Sequence, residues 1–296
     1  MSLATTGLDG GLVVDKPAGW TSHDVVARAR RLLGTRRVGH GGTLDPDATG
    51  VLVLGVGRGT RLLRFAAQLH KTYVGEVVLG VATSTLDASG EVTERRDMSG
   101  LALEEIRQAA LSLTGRLEQV PPMVSAVKLG GRRLYDLARD GIEVERAPRP
   151  IEVRRFDVQL AGEAGVVRIL VECSSGTYVR VLAADLGDRL GGVAHLRALR
   201  RLSVGSLSED EAVALDAVGP LAVRSCLELV RDLPRVEVVT ELASALRHGR
   251  RVERALVGVA GEGPWAAIDE AGTLVAVLEA HGTDRVHPAV VLPSAN

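Results

Sequence analysis

The side chains best placed for chemistry lie in a Gly-, Thr- and Asp-rich segment, residues 38–50, which predicts a loop. The segment leads into the apolar run of residues 51–54, which predicts a buried strand, and a polar loop beside such a strand is a usual place for chemistry. Asp45 and Asp47 are spaced like the first ligands of a calcium loop. However, Val56 stands where a bidentate glutamate would close that loop, so a calcium site is not expected.

Two further patterns lack a partner that their chemistry requires. Residues 55–60 resemble a dinucleotide-binding GxGxxG loop, but Thr60 replaces the third glycine and no repeated βαβ units surround it. Ser125 and Lys128 have the SxxK spacing of an acyl-transfer site, but the sequence has no KTG or SDN partner motif. Neither dinucleotide binding nor acyl transfer is therefore expected.

Residues 38–50 instead belong to a series of blocks that occur in the same order in the bacterial tRNA pseudouridine synthase B family, which this sequence resembles. The blocks are Asp15-Lys16-Pro17-Ala18-Gly19, Thr21-Ser22-His23-Asp24, Gly39-His40-Gly41-Gly42-Thr43-Leu44-Asp45-Pro46-Asp47-Ala48-Thr49-Gly50-Val51-Leu52, Lys71-Thr72-Tyr73, Ser174-Ser175-Gly176-Thr177-Tyr178-Val179-Arg180 and Ala194-His195-Leu196-Arg197-Ala198-Leu199-Arg200-Arg201. Several ordered blocks match by chance far less often than one short motif. The resemblance implies an α+β fold: a pseudouridine synthase catalytic domain on a mixed, largely antiparallel sheet, followed by a small β-rich PUA-like domain.

The resemblance also implies a reaction, the isomerisation of uridine to pseudouridine at position 55 in the T-arm of tRNA, without a cofactor or a metal. The base is detached from C1′ and rejoined through C5. Asp45 matches the family's catalytic nucleophile, whereas Asp47 has no such role and is interpreted as a loop residue that caps a turn. Arg180 matches the partner that keeps the carboxylate ionised. Tyr73 matches the tyrosine that stacks on the flipped-out base and assists proton transfer at C5.

Five further residues are implied as substrate contacts. His40 matches a residue that helps to take the nucleotide out of its stack, and Leu199 matches one that bounds the base pocket. Tyr178 and Lys16 lie within matching blocks, and Asp87, in the loop after the Tyr73 strand, is expected to hold RNA or a neighbouring arginine. Taken alone, these residues have plainer interpretations, since a lone histidine is more often structural and a lone leucine more often belongs to the core.

The elements that must position these residues follow from hydrophobic periodicity and capping signals. The pattern predicts the following elements: a strand over 11–17, a helix from Thr21 or Ser22 to Gly34, a hairpin-like pair of strands over 73–79 and 91–94, a helix from Ser99 to about Leu113, strands over 151–160 and 166–172, and a helix over about 178–190. We predict a catalytic domain over residues 1–235, in which residues 121–150 form a basic, partly mobile insertion that resembles the family's RNA-gripping segment. Residues 236–296 form the C-terminal domain, with a hairpin that turns at residues 269–272.

Composition places the chain among ordinary globular proteins, with 46% hydrophobic and 25% charged residues in a length of 296. The net charge of −1 argues against a polycation, and 2% aromatic residues argue against an aromatic base-stacking sheet. Cys173 and Cys226 lie far apart without metal-ligand spacing, which favours a reducing cytoplasm over a disulfide framework or a zinc site. No apolar run approaches the roughly 18 residues of a membrane span, and the N-terminus lacks signal-peptide features.

The densest basic patch comprises five arginines that lie within or just after the first predicted helix: Arg28, Arg30, Arg31, Arg36 and Arg37. This patch is either a solvated helix face or a phosphate-binding surface for tRNA. Two other interpretations stay open: a non-catalytic RNA-binding or tRNA-folding module, and an isomerase that acts on other RNAs with guide partners. The modest length favours action without an obligatory protein partner, as a monomer.

Overall fold

A computed structural model describes residues 8–123, 128–129, 132–133, 142 and 144–292 of the chain. The strands are β1 (Gly10–Lys16), β2 (Val38–His40), β3 (Thr49–Val56), β4 (Lys71–Leu79), β5 (Val81–Thr83), β6 (Val92–Arg95), β7 (Gly115–Gln119), β8 (Lys128–Leu129), β9 (Arg132–Arg133), β10 (Arg149–Leu160), β11 (Val166–Cys173), β12 (Ala194–Val204), β13 (Leu207–Ser208), β14 (Val213–Ala214), β15 (Arg235–Glu237), β16 (Val252–Glu253), β17 (Trp265–Ile268), β18 (Leu274–His281) and β19 (Arg285–Val291). The helices are α1 (Ser22–Leu32), α2 (Leu63–Gln68), α3 (Leu103–Leu111), α4 (Val179–Arg189), α5 (Thr240–Arg247) and α6 (Arg254–Val257). No helix in these ranges is long and apolar enough to cross a bilayer.

One large sheet carries most of the N-terminal part of the chain, in the order β14-β1-β3-β12-β4-β11-β10-β7, with β2 on β3 and β13 on β12. Its pairings are antiparallel except for β1 with β14 and β3 with β12. This sheet confirms the predicted α+β fold with a mixed, largely antiparallel sheet.

The two halves of the sheet meet between β3 and β12, where the first two residues of β3 pair with β12. The register joins Arg200 to Thr49 and Arg201 to Gly50. Gly50 has φ +96°, and a Cβ at this position would lie 2.2 Å from the main-chain oxygen of Arg201. Glycine is therefore required for the close approach of the two strands, next to the loop that carries Asp45.

Two cores on opposite faces of β3 explain its continuous apolar sequence. Leu52 and Leu54 pack with α1 in one core, whereas Val51 and Val53 pack in another core together with residues of the C-terminal sheet. The C-terminal sheet has the order β15-β17-β18-β19-β16 and confirms the predicted β-rich region. A third core lies between α3, α4 and strands β4, β10 and β11. The predicted division into residues 1–235 and 236–296 stays a prediction.

The local signals at the start of the chain are confirmed. Helix α1 begins after Thr21, whose Oγ1 accepts a hydrogen bond from the Asp24 N–H at 3.1 Å, while an Asp24 carboxylate oxygen accepts the Thr21 N–H at 3.0 Å. This reciprocal capping satisfies two amides at the helix start. The apolar face of α1 is buried and includes Val25, Val26 and Ala29.

Some predictions about the connections between elements are wrong. Residues 91–94 do not pair with the Tyr73 strand, because β6 pairs with β5, and β4 lies between β11 and β12 in the large sheet. Helix α3 begins at Leu103 rather than at Ser99, because the Ser99 N–H and hydroxyl bind the Asp97 carboxylate in a turn.

Two further differences concern the loop segment and the insertion. The first three residues of the segment 38–50 form β2, which pairs with β3, so the loop is shorter than predicted. Half of the predicted insertion over residues 121–150 lies outside the described residues, and its role as an RNA-gripping segment stays a prediction.

Candidate active site

The loop between β2 and β3 carries Asp45 and is held from both sides by the β1–α1 region. Ser22 Oγ accepts a hydrogen bond from the Leu44 N–H at 2.9 Å and lies 3.3 Å from the Leu44 carbonyl oxygen. On the other side of Asp45, the Pro46 carbonyl oxygen accepts hydrogen bonds from the Gly19 N–H at 3.0 Å and from Lys16 Nζ at 2.7 Å. These contacts fix the main chain immediately before and after Asp45.

Lys16 is fully buried at the end of β1, although its sequence block suggested a substrate contact. Its ammonium donates hydrogen bonds to the main-chain oxygens of Pro17, Trp20 and Pro46 at 3.0, 2.6 and 2.7 Å. An ammonium has three N–H donors, so these three carbonyls use all of them. The placement of Lys16 favours a positioning role for the Asp45 loop over the predicted substrate contact.

Replacement of Lys16 by methionine is expected to lower the free energy of unfolding by about 2–4 kcal/mol, because it leaves the main-chain carbonyls of Pro17 and Trp20 without their ammonium donor and removes one of the two donors to the Pro46 carbonyl. Urea denaturation at pH 7 measures this loss. The matched control is Arg30→Met, which removes one hydrogen bond to the Val38 carbonyl oxygen from an exposed side chain and should cost less than about 1 kcal/mol. Equal losses in the two variants would contradict the positioning role.

Arg180 lies at the start of α4 and pairs with two carboxylates. Its guanidinium is 4% exposed, with Nη2 at 3.1 Å from Asp45 Oδ1 and Nη1 at 3.3 Å from Asp87 Oδ2. Asp87 is itself held, since its Oδ1 accepts hydrogen bonds from Thr85 Oγ1 at 2.6 Å and from the Ser89 N–H at 3.0 Å. Of the two alternatives given for Asp87, this arrangement favours the contact with a neighbouring arginine.

Two opposing effects set the ionisation of Asp45. Removal from water raises the pKa of its carboxyl group above the usual value of 3.8, and the neighbouring charge of Arg180 opposes this rise. The side chain remains 44% exposed to the cavity in front of it. Asp45 is therefore a carboxylate that a substrate can reach and whose charged form depends on Arg180.

A cavity of about 240 Å³ lies in front of Asp45. Its wall includes these predicted residues: Asp45, Tyr73, Tyr178, Arg180 and Leu199. The volume is below the roughly 300–1,000 Å³ of sites for drug-sized ligands, so the cavity suits a small group rather than a large molecule. The structure thus brings together five of the eight predicted site residues, from four separate parts of the chain.

The two tyrosines of the cavity are held in different ways. Tyr73 projects from β4 and is 8% exposed, and burial raises the pKa of its hydroxyl, so it stays protonated at neutral pH. Tyr178 precedes α4, and its main-chain N–H and carbonyl oxygen are both bound by the Gln119 amide, at 2.8 and 3.2 Å. The buried Gln119 thereby fixes the segment that leads into Arg180.

His40 does not line this cavity. Its ring packs edge-on against His23 with the ring centroids 5.3 Å apart, and its Nδ1 is buried without a hydrogen-bond partner among the described residues. Burial lowers the pKa of His40, and the neighbouring His23 lowers it further. The role of His40 in contacting substrate stays a prediction.

Reasoning from the sequence missed two buried cations in the cavity wall, Lys71 and Arg201. Arg201 donates to the main-chain oxygens of Val51 at 2.7 Å, Gly42 at 3.2 Å and Thr43 at 3.4 Å, so it ties β12 to the loop before Asp45. Both residues lie inside blocks that carry the family resemblance, and Lys71 is also one of only a few lysines. These two signals could have singled them out.

Comparisons with known proteins agree on the family to which the chain belongs. Residues 30–179 match the model of the TruB family pseudouridylate synthase N-terminal domain, and residues 233–293 match the C-terminal model of tRNA pseudouridine synthase II. The chain is 44% identical over 301 residues to tRNA pseudouridine synthase B of Arthrobacter sp. (strain FB24), which covers 98% of each chain. It is 47% identical over 295 residues to the protein of that name from Rhodococcus jostii (strain RHA1), which covers 96% of this chain and 94% of that one.

Solved structures share the fold. A chain of a Cbf5-Nop10-Gar1 complex superposes with a TM-score of 0.72 at 27% identity, over 95% of this chain and 83% of that one. A chain of an H/ACA RNP bound to a substrate RNA containing 2′-deoxyuridine has a TM-score of 0.72 at 23% identity, over 96% of this chain and 85% of that one. The family models, the full-length relatives and the shared fold agree, and the chain belongs to the TruB family of pseudouridylate synthases.

Proposed function

We propose that the protein isomerises uridine to pseudouridine at position 55 in the T-arm of tRNA, with Asp45 as the nucleophile and without a cofactor. The observation that supports this proposal most is the pairing of Asp45 with the buried Arg180 at the wall of a cavity that also contains Tyr73. The relatives that match nearly the whole chain carry the name tRNA pseudouridine synthase B, which supports tRNA as the substrate.

Each residue of the cavity has a chemical task in this proposal. A base inside a folded tRNA is stacked, so the target nucleotide must flip out of the stack before its base can enter a cavity of this size. Asp45 then attacks the nucleotide as an ionised carboxylate, and Arg180 maintains that ionisation. The neutral Tyr73 hydroxyl stays available to assist proton transfer at C5, while Tyr178 and Leu199 bound the base.

The RNA is proposed to contact arginines of the basic patch that lies within and just after α1. Arg28 pairs with Asp216, and Arg30 donates to the Val38 carbonyl oxygen, so these two are used within the protein. The remaining three arginines of the patch are exposed: Arg31, Arg36 and Arg37. Arg36 and Arg37 directly precede β2, which leads into the loop that carries Asp45, whereas Arg31 lies in α1.

Affinity for tRNA is expected to fall steeply with salt, because phosphate contacts release condensed counterions. Replacement of the exposed triplet by alanine should reduce the slope of log K against log salt by about 2, at about 0.7–0.9 for each lost contact. Filter binding between 50 and 200 mM salt, roughly the range over which such contacts weaken, measures the slope.

A matched control replaces three exposed arginines elsewhere on the surface, one at the end of β6, one just after it and one in α3: Arg95, Arg96 and Arg107. This control should leave the slope unchanged. A wild-type affinity that does not change with salt, or equal slopes for the two triple variants, would contradict the assignment of the basic patch as the RNA surface.

The direct test of the proposed function uses the purified protein and an unmodified tRNA transcript, with no cofactor, guide RNA or second protein. Carbodiimide treatment followed by primer extension maps each pseudouridine. We expect one new stop at position 55, and none in a transcript with cytidine at that position. Tight binding without any pseudouridine would favour a non-catalytic RNA-binding module, and a requirement for a guide or partner would favour the second alternative.

A further inference from the structure

We propose that Lys71 is a further catalytic residue, whose ammonium stabilises the negative charge that develops on the uracil as its bond to C1′ breaks. This inference rests on the proposed function, which assigns no task to Lys71. It depends on three features: the position of Lys71, the directions of its hydrogen bonds and the charge that the reaction creates.

Lys71 is the first residue of β4 and lies two positions before Tyr73, so both side chains point to the same face of the sheet. The residue is 6% exposed and contributes to the wall of the cavity that contains Asp45. A buried lysine at the wall of a small cavity carries its charge in surroundings of low polarity, where an ion interacts more strongly than in water.

The hydrogen bonds of Lys71 leave one donor for a substrate. Its Nζ donates to the main-chain oxygens of Ala67 at 2.5 Å and Leu69 at 2.6 Å, at the end of α2. An ammonium has three N–H groups, and the third has no partner among the described residues. The two carbonyls therefore fix the ammonium in place while one N–H stays available to a group in the cavity.

The other two cations of the cavity wall, Arg180 and Arg201, have their donors directed to groups of the protein. Arg180 faces two carboxylates, Asp45 and Asp87, so the charge of that group of three is negative overall. Arg201 directs three donors to main-chain oxygens of β3 and of the loop before Asp45. Lys71 differs from Arg180 because no carboxylate of the described residues pairs with it, and it differs from Arg201 because one of its N–H donors is left for a group in the cavity.

The proposed isomerisation creates the charge that Lys71 would stabilise. When the Asp45 carboxylate bonds to C1′, the N1–C1′ bond breaks and its electron pair stays with the uracil, so that negative charge spreads over N1 and the two carbonyl oxygens. C5 then bonds to C1′ and displaces the Asp45 carboxylate, the hydrogen on C5 leaves as a proton, and N1 gains a proton, so atoms and charge balance. A fixed cation beside the base lowers the energy of this anionic stage more than that of the neutral uridine.

The ionisation of Lys71 makes the inference testable by pH. Burial and the positive charge of Arg201 lower the pKa of Lys71 to about 8. The other titratable groups around it are Cys173 on β11, whose pKa burial raises to about 11, and Tyr73, whose pKa burial also raises. Both stay neutral near pH 8. Burial also lowers the pKa of Lys16 behind the Asp45 loop to about 8, so the experiment must separate these two lysines.

The experiment compares the wild type with Lys71→Arg and Lys71→Met in single-turnover reactions, with each protein in saturating excess over a tRNA transcript. Release of tritium from C5 of labelled uridine measures the rate between about pH 6.5 and 9.5, the range that spans the lowered pKa. Binding of the same transcript measures affinity. Arginine keeps its charge throughout this range, whereas methionine keeps only the apolar part of the side chain.

We expect the wild-type rate to fall above about pH 8, and the Lys71→Arg rate to be within about tenfold of wild type at pH 7 and to lack this fall. Lys71→Met should lose about 10²–10³-fold in rate at pH 7, with affinity changed by less than about threefold. A Lys71→Met rate within about threefold of wild type would overturn the inference. An unchanged alkaline fall in Lys71→Arg would also overturn it and would point to Lys16.

A structural role for Lys71 as a cap of α2 predicts a different result, in which both variants lose stability and neither changes the pH profile. If Lys71→Met does not fold, the pH profile of Lys71→Arg decides by itself. Absence of tritium release by the folded wild type would overturn the proposed function. A wild type that is active, with variants that show no charge-dependent effect, would overturn only the role of Lys71.

Discussion

Replacement of Asp45 by asparagine is expected to reduce pseudouridine formation by at least about 10⁴-fold, because an amide cannot act as the nucleophile. The asparagine oxygen can still accept the hydrogen bond that Arg180 now donates to Asp45 Oδ1 at 3.1 Å. Affinity for tRNA should therefore change by less than about threefold, since the charged RNA surface is unaltered. Single-turnover primer extension and filter binding on the same transcript measure the two quantities.

Asp47→Asn is the matched control, since Asp47 is an exposed aspartate two positions away in the same loop. Its rate should be within about threefold of wild type. Loss of activity in both variants, or in Asp47→Asn alone, would contradict the assignment of Asp45 as the nucleophile.

Folding provides a second control for the Asp45 variant. The pKa of Asp45 is raised in the folded protein, so folding favours the protonated carboxyl group, and its ionisation at pH 7 destabilises the fold. The stability contributed by the protonated carboxyl group of Asp45 is present at low pH and is lost as the pH rises through its pKa in the folded protein. The neutral asparagine removes the cost, and the urea midpoint of Asp45→Asn at pH 7 should equal or exceed that of wild type. A lower midpoint would mean that lost activity reflects lost structure.

Replacement of Arg180 by methionine is expected to reduce the rate at pH 7 by about 10²–10³-fold and to move the acid limb of the pH–rate profile upward. The guanidinium lowers the pKa of Asp45 against the effect of burial, so its removal lets that pKa rise further. Single-turnover rates between pH 5 and pH 9, roughly the span of such a shift, should show partial recovery at higher pH.

Asp87→Asn is the matched variant for this prediction, because it should shift the acid limb of the pH–rate profile in the opposite direction. The negative charge of Asp87 raises the pKa of Asp45 and shares the guanidinium of Arg180 with it. Its removal should move the acid limb downward. An acid limb at the same pH in wild type, Arg180→Met and Asp87→Asn would show that Asp45 does not control the profile.

The sequence by itself determined the elements whose signals are local. The alternation and capping around α1 predicted that helix because the residues that define it are at most a few positions apart. The run of four apolar residues at 51–54 predicted a buried strand, and the structure buries both faces of β3 in cores. The blocks of the family resemblance likewise named Asp45, Tyr73 and Arg180 before any contact between them was known.

Only the tertiary structure decided which of these residues meet. Asp45 and Arg180 are 135 positions apart, and their contact depends on the placement of β12 between β3 and β4, which joins the two halves of the sheet. Strand β12 was not predicted, because its arginines hide the alternation of apolar and polar residues that indicates a strand. In the structure, Arg197, Arg200 and Arg201 pair with carboxylates or main-chain oxygens. Strand pairing is a long-range choice that local periodicity does not encode. For the same reason, the positions of Lys16 behind the loop, Asp87 beside Arg180 and Lys71 in the cavity wall became visible only in the folded chain.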